Sequence, residues 1–589
     1  MLETIQLDCN NLYIKAKNNL SFKNLKKYIL NDDNILLAYR NLKLDSINKN
    51  LLEIDNLSIE QIRANICLIL KDKYLPKPVK LNKIITKKGT EQYISAPEIW
   101  DCLIQQCIKQ IIYPIYIAHA DKRNYGAKQQ CYVQNILSAI YNRLQLNKIY
   151  HVIELNLDNL FNQLNHNKLI QKFWSLGIHD KWLISQIKCI LCNPIKNGNE
   201  IIVPRTGINQ CGILRTLFLN IVLNEFDHWI SSQWEENPVV YKYSVRENNH
   251  GIMNKGHGYH AMRNTNLKEM YLIRYNENIR IFIKDNNDVL KIQYAIQNWF
   301  KKRLNYDLNL DDIKSIDTRK KYFEFMGFKI RTYRKHNKYV VKSHINDFQM
   351  KNIYNRLKQQ IINIKHPPKG SNITKELVIY NHLILKIYKY YAFATHISND
   401  CLQLHKNIRI ILFNRLHNLT KTGNKLTSFE QKLYGKSKSV RYYNQHIIYP
   451  ISYISHKNPS GYKESKNVLN IQDKLLYQLF RIKSYKYDIE LMNNRITLFK
   501  KQNGKCAILQ QLFMNVDEIH CHHKIPVSLN GTNDISNLIL VHKDIHRLIH
   551  ATSNIIINKY LRKYSLNNEQ LLLINKLRKQ SNNFLLKRN

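Results

Sequence analysis

The sequence predicts a multidomain α+β chain, and three stretches carry that expectation. Residues 271–283 read as strand, tight turn, strand, with β-branched and aromatic residues flanking the polar tip Asn276-Glu277-Asn278. Leu377, Tyr380, Ile384, Ile387 and Tyr391 recur at helical spacing, and Leu404, Ile408 and Ile411 repeat the pattern after Ser398. Residues 517–550 gather six histidines: His520, His522 and His523 in a strand-like run, His542, then His546 and His550 one helical turn apart.

The bulk properties narrow the partners. The chain has 589 residues, enough for several domains, and 90 Lys+Arg against 44 Asp+Glu leave it at +46. Basic residues recur from end to end, which points to a polyanion, nucleic acid foremost. A membrane partner is not expected, because no basic amphipathic segment stands out and no apolar run is long enough to span a bilayer. The start, Met1-Leu2-Glu3-Thr4-Ile5, has no signal-peptide pattern, and Glu3 and Asp8 argue against a transit peptide. Abundant Asn, Lys, Ile and Tyr with little Gly are the residues of A/T-rich codons. That composition suggests an organelle, with chloroplast or plastid expected ahead of mitochondrion. Eleven scattered cysteines form no disulfide framework, so a reducing compartment is expected.

In chain order, residues 1–73 read as a helical extension. Tyr74-Leu-Pro-Lys-Pro-Val79 opens two strand-like runs around a Lys88-Gly89 turn, and Ile94-Ser-Ala-Pro97 leads into a helix from about Glu98 to Tyr113. Asn124-Tyr125-Gly126 follows, then a strand passing into a helix at 152–169 with Asn156 and Phe161. Beyond lie Gly207-Ile-Asn-Gln-Cys-Gly212 with Asn220, then Lys314 and Phe325-Met-Gly-Phe328. Blocks of this kind in this order resemble the group II intron reverse transcriptases/maturases. The resemblance implies right-hand fingers and palm over 74–335. In that family two carboxylates at the hairpin tip and one on the earlier strand hold catalytic magnesium, and here those positions are Glu277, Asn278 and Asn156. Two neutral amides are a poor cradle for magnesium. Glu154 and Asp158 flank Asn156 on the same strand face, but each is displaced by ~7 Å. The expectation is a degenerate polymerase site without reverse transcription.

A break at His366-Pro-Pro-Lys-Gly-Ser371 precedes the two periodic helices, and Thr374 is the expected helix cap. The resemblance assigns 336–457 to an α-helical thumb, or maturase domain. Lys386, Lys389, Arg409 and Arg415 are candidate RNA contacts there. A solvated charged face over an aromatic core is the competing reading. Asn458-Pro-Ser-Gly461 opens a basic linker, 458–500, with Arg481–Tyr487 suited to DNA.

The histidines fall in the frame His522-His523-Lys-Ile-Pro526, Asn530-Gly531, Asn537-Leu538 and His546-x-x-x-His550. This resembles the ββα-metal HNH endonucleases, here over 501–555 with a basic C-terminal helix at 556–589. The resemblance makes His522, His546 and His550 ligands of one divalent metal, Mg or Zn. It makes His523 the general base, and Asn537 the residue that holds the loop and orients that base. Related nucleases carry a structural zinc site of two paired ligands. Only Cys506 and His542 remain of it, with Leu509 and Ile545 at the partner positions, so that zinc is expected to be lost. The pair Cys189 and Cys192 is expected to be core packing.

The leading functional expectation is a maturase that binds its group II intron RNA and assists splicing, with an HNH module that nicks target DNA and a homodimer as a further partner. The alternative is an intron-mobility DNA endonuclease with a vestigial RNA-binding body.

Overall fold

The computed structural model describes residues 2–44, 57–70, 75–85, 91–128, 131–157, 159–197, 200–242, 255–422, 431, 434, 440–444, 446–461, 475, 479, 489–513, 515–564 and 566–586. The Lys88-Gly89 turn, Asp158 and the basic run Arg481–Tyr487 lie outside them. The chain divides into two compact units. One comprises Met1–Asn352, Tyr390–Asp400 and Ser455–Leu469; the other comprises Ile353–Lys389, Cys401–Ile454 and Asn470–Asn589.

In the first unit the helix Ile99–His119 is the central post, and Leu2–Lys17 and Asp32–Leu44 pack on it. It is apolar nearly all round, with Leu103, Ile104, Ile108, Ile111, Ile112 and Ile115 buried, the mark of a core helix. It runs past the expected end at Tyr113 and through Pro114. A proline gives up one backbone hydrogen bond, and burial on every side offsets that loss. The following pair of cysteines is not core packing: Cys189 is half-buried and Cys192 exposed. The core face of their helix, Lys181–Leu191, belongs to Leu183, Ile187 and Ile190.

Two sheets carry the middle of this unit. One runs Glu91–Ala96, Val79–Ile85, Ile195–Asn197, Glu200–Ile202 in spatial order. The other runs Met270–Tyr275, Asn278–Ile283, His151–Leu155, Ile313–Asp317, antiparallel throughout. Its hairpin closes at Tyr275–Asn278, so the turn is Asn276-Glu277, with Asn276 at φ +54°. Leu155 pairs with Ile279, which brings Asn156 level with Asn278 at one end of the sheet. Beneath the turn Arg274 is fully buried against Asp227, its Nε 2.8 Å from Oδ1. Its other arm donates to Asn220 Oδ1 (2.7 Å) and to Asn276 O (3.0 Å), tying the turn to the core. A buried ion pair stabilises little unless its remaining donors are also satisfied, and these are. A third sheet, Phe323–Phe325, Phe328–Lys335 and Lys338–Ile345, turns at Met326-Gly327, both at positive φ.

Most of the helices Ile373–Tyr391 and Ile397–Leu416 belongs to the second unit. The first is capped by Asn372, whose Oδ1 accepts from Lys375 N (2.8 Å), and not by Thr374. Leu377, Tyr380, Ile384 and Ile387 are buried along one stripe. Asn381 clamps the chain at 447–449 through Ile447 O (2.6 Å) and Tyr449 N (2.9 Å). Among the described residues no helix is long and apolar enough to cross a membrane.

Candidate metal centre

The C-terminal site is built from two strands and a helix. Ile519–His523 and Leu538–His542 pair antiparallel, with Ile519 opposite His542 and His523 opposite Leu538. The second strand passes directly into the helix Lys543–His550, which His542 caps by accepting from Asp544 N (3.2 Å) at Nδ1. Ile545, Leu548 and Ile549 are buried and seat the helix on the strands. The opposite spacing, i to i+4, leaves His546 and His550 on a common stripe. Side chains alternate along a strand, so His520 and His522 share one face of the hairpin and His523 turns from the other.

His522, His546 and His550 converge: one ring nitrogen from each lies within 4.8 Å of the other two. Nδ1 of His522 stands 3.3 Å from Nε2 of His550. Two nitrogens bound at ~2.0–2.1 Å to one tetrahedral cation stand roughly 3.3 Å apart, so the spacing suits a shared metal. His522 is 1% exposed, and its Nε2 has no hydrogen-bond partner among the described residues. This open nitrogen points away from Nδ1, the atom that faces His550, so it is a separate buried polar group, costly unless a water takes it. Burial, then the neighbouring imidazoles, push His522 down to about 3, and burial followed by His550 and His520 pushes His546 to about 4. All three rings are therefore held neutral, the state a ligand needs.

His523 stands beside the triad with Nε2 2.9 Å from Asn533 Oδ1. With the amide oxygen accepting, the proton sits on Nε2 and Nδ1 is the basic nitrogen. Asn533 was not singled out in the sequence. The Asn537 side chain bonds the loop backbone, with Oδ1 accepting from Ile525 N (2.9 Å) and Nδ2 donating to Ile525 O (3.1 Å) and Thr532 O (2.9 Å). The amide that meets the His523 ring is that of Asn533. His520, noted in the sequence without a role, lies at the edge of the triad, its ring 5.0 Å from that of His546.

Cys506 and His542 lie together but apart from the triad. Cys506 Sγ accepts from His542 N (3.2 Å) and Leu509 N (3.5 Å). Nδ1 of His542 meets Tyr564 Oη at 3.3 Å. Tyr564 donates to Asp544 Oδ2 (2.8 Å), which also receives Lys563 Nζ (2.7 Å). A hydrogen-bonded cluster thus fills this corner. Helices Asn554–Lys563 and Asn568–Gln580 pack on Lys543–His550, and the preceding Ile489–Lys501 packs on the strand Leu538–His542. In Ile489–Lys501, Arg495 donates to Ile519 O (2.5 Å).

The sheet end in the first unit gathers Asn156, Glu277 and Asn278 without paired carboxylates. Glu154 is engaged by Arg280 (3.0 Å). The Arg215 guanidinium lies 3.9 Å from the centre of the Phe161 ring and feels the Glu277 carboxylate, while burial draws its pKa down. Lys386, Lys389, Arg409 and Arg415 are all exposed.

The family described as HNH endonuclease matches residues 505–552. The chain thus carries an HNH endonuclease domain at its C-terminal end. It is also similar to the "Putative COX1/OXI3 intron 1 protein" of Saccharomyces cerevisiae (strain ATCC 204508 / S288c), 21% identical over 343 residues, covering 54% of this chain and 40% of that protein. To "Protein YkfC" of Escherichia coli (strain K12) it is 25% identical over 201 residues, covering 32% of this chain and 50% of that one. The chain spans half or less of the length of these relatives.

Proposed function

We propose that this chain is an intron-encoded protein that binds its intron RNA, assists splicing, and nicks DNA through its HNH domain. The observation that carries the nuclease half is the convergence of His522, His546 and His550 within a segment matching HNH endonucleases. These residues would hold a divalent cation, which supplies Lewis-acid stabilisation of charge on the phosphate. Three imidazoles without a carboxylate suit zinc or a similar transition metal better than magnesium. Nδ1 of His523 takes the proton of the attacking water as its oxygen bonds to phosphorus and the phosphodiester P–O bond breaks. Asn533 holds that base in its tautomer.

The RNA-binding half is supported by the +46 charge and by the similarity to a protein named for an intron. A stacking platform lies on the helix Ile397–Leu416. Phe413 is 56% exposed, with His417 stacked on it at 5.4 Å and Arg441 over its ring at 5.9 Å. Arg441 is fixed by Thr420 Oγ1 (2.8 Å). An exposed aromatic ring beside an arginine accepts an unpaired base. The chain does not polymerise DNA on this reading, because Asn156 and Asn278 offer no anionic oxygen for magnesium.

Deletion of the reading frame should block splicing of the host intron, and a His523→Ala copy should restore it. Splicing that persists after deletion would leave only the alternative, a mobility endonuclease.

A further inference from the structure

Helix Lys543–His550 has 8 residues and carries two of the three imidazoles. So short a helix is marginal by itself, and the last four carbonyls of any helix lack partners within it. His550 is its final residue. The end that must be held most firmly for ligation is therefore the end with the fewest bonds of its own.

The bonds come from beyond the HNH match. Arg578, on the helix Asn568–Gln580, is 1% exposed. Its Nη1 donates to Leu548 O (2.5 Å) and Ile549 O (3.2 Å), its Nη2 to Ala551 O (3.0 Å), and its Nε to Phe584 O (2.6 Å). Asn583 Nδ2 adds a bond to Ile549 O (3.2 Å), and Asn575 ties down the last turn through Leu586 N (2.8 Å). Burying a guanidinium is costly unless its donors are satisfied; here the carbonyls on either side of His550 satisfy them. The group is a rigid planar fork, so bonding to residues 548, 549 and 551 fixes both the position and the rotation of the helix end. Its charge also complements the negative end of the helix.

We propose that Arg578 is a positioning residue of the metal centre, acting through the backbone around His550, and that the working nuclease module of this chain extends to residue 586. The inference rests on the metal-centre reading above. The test uses the full chain, with Co²⁺ alone as probe, followed by titration and by its visible absorption. Arg578→Lys keeps the charge but not the fork. It should lower Co²⁺ affinity about 10- to 100-fold, as loss of an outer support does, and alter the absorption of the bound ion. A role in stability alone would lower the melting temperature and leave the spectrum of the folded protein unchanged. A folded Arg578→Lys chain with the wild-type affinity and spectrum overturns the proposal. If that variant does not fold, Asn583→Ala replaces it: a smaller loss of affinity in the same direction supports the proposal, and wild-type affinity overturns it. A wild-type chain that binds no Co²⁺ overturns the metal centre itself, whereas wild-type binding with indifferent variants removes only the role of Arg578.

Discussion

The end of the central sheet in the first unit and the HNH centre in the second are both made at the tip of paired strands beside a helix. At the sheet end lie Asn156, Glu277 and Asn278, with one carboxylate among them, and the buried Arg274 guanidinium donates to Asn276 O in the turn. At the HNH centre three neutral imidazoles converge, one of them buried with a nitrogen left open. Similar backbone scaffolds therefore support opposite electrostatic outcomes. A site for hard cations depends on negative oxygens, and Asn156 and Asn278 present only neutral amides. A site of imidazoles depends on keeping its donors unprotonated, and burial does that without any formal charge. At His550 burial is joined by the Arg578 guanidinium, and both lower the pKa of the ring.

That contrast can be broken most directly by measuring both chemistries on one preparation. Primer extension on an RNA template should give no product, whereas supercoiled DNA should be nicked in the presence of Zn²⁺, Mn²⁺ or Mg²⁺. In the same assay His523→Ala should slow nicking about 10²- to 10⁴-fold, the usual contribution of a positioned base, without loss of bound metal. Appearance of cDNA, or nicking that survives His523→Ala, would erase the distinction drawn between the two sites.

A smaller effect separates nucleic-acid grip from chemistry. Phe413→Ala should cost about 1–3 kcal/mol of affinity for single-stranded intron RNA, the worth of one stacked base, and leave nicking of DNA unchanged. Equal RNA affinity in the variant, measured at fixed salt, would show that the platform is not used.

Acidification sharpens the account of the imidazoles. Each unfolded ring titrates near 6.5, whereas His522 and His546 are depressed to about 3 and about 4. As pH falls below 6.5 the unfolded state takes up protons that the folded state refuses. The stability these rings contribute is therefore complete above 6.5 and is lost progressively down to about 4 and then about 3. Hydrogen exchange of residues 519–550 in the metal-free chain should accelerate across that window; a flat profile would mean that the rings are not held as described.

The smallest effect concerns the corner around Cys506. Tyr564→Phe removes the hydrogen bond to Asp544 and should destabilise the module by about 1–2 kcal/mol, read from local hydrogen exchange. Burial works against the Asp544 carboxylate, but Lys563 and Tyr564 hold its pKa below the usual value. The same region should therefore weaken further in acid. No change in Tyr564→Phe would make the cluster incidental.

Much of this was legible in the sequence because it depends on period. The strand–turn–strand at 271–283, the stripe Leu377–Tyr391 and the i, i+4 pair His546/His550 are local patterns, and backbone geometry converts them directly into shared faces. The shared face of His546 and His550 could be named for that reason, whereas His522 was added by the resemblance to the HNH endonucleases. Helix ends were less legible: burial carried Ile99–His119 through Pro114, and Asn372 displaced Thr374 as the cap.

What only the tertiary structure decided is who supports whom. Asn533 reaches His523 because the loop that Asn537 clamps delivers it, and spacing along the chain does not reveal that. Arg578 and Tyr564 belong to the module because their helices fold back on it, although in sequence they read as a basic tail. The physical reason is range. Periodicity reports which side chains share an element, but a hydrogen bond from a distant helix depends on where the chain returns, and that is set by the packing of the whole module.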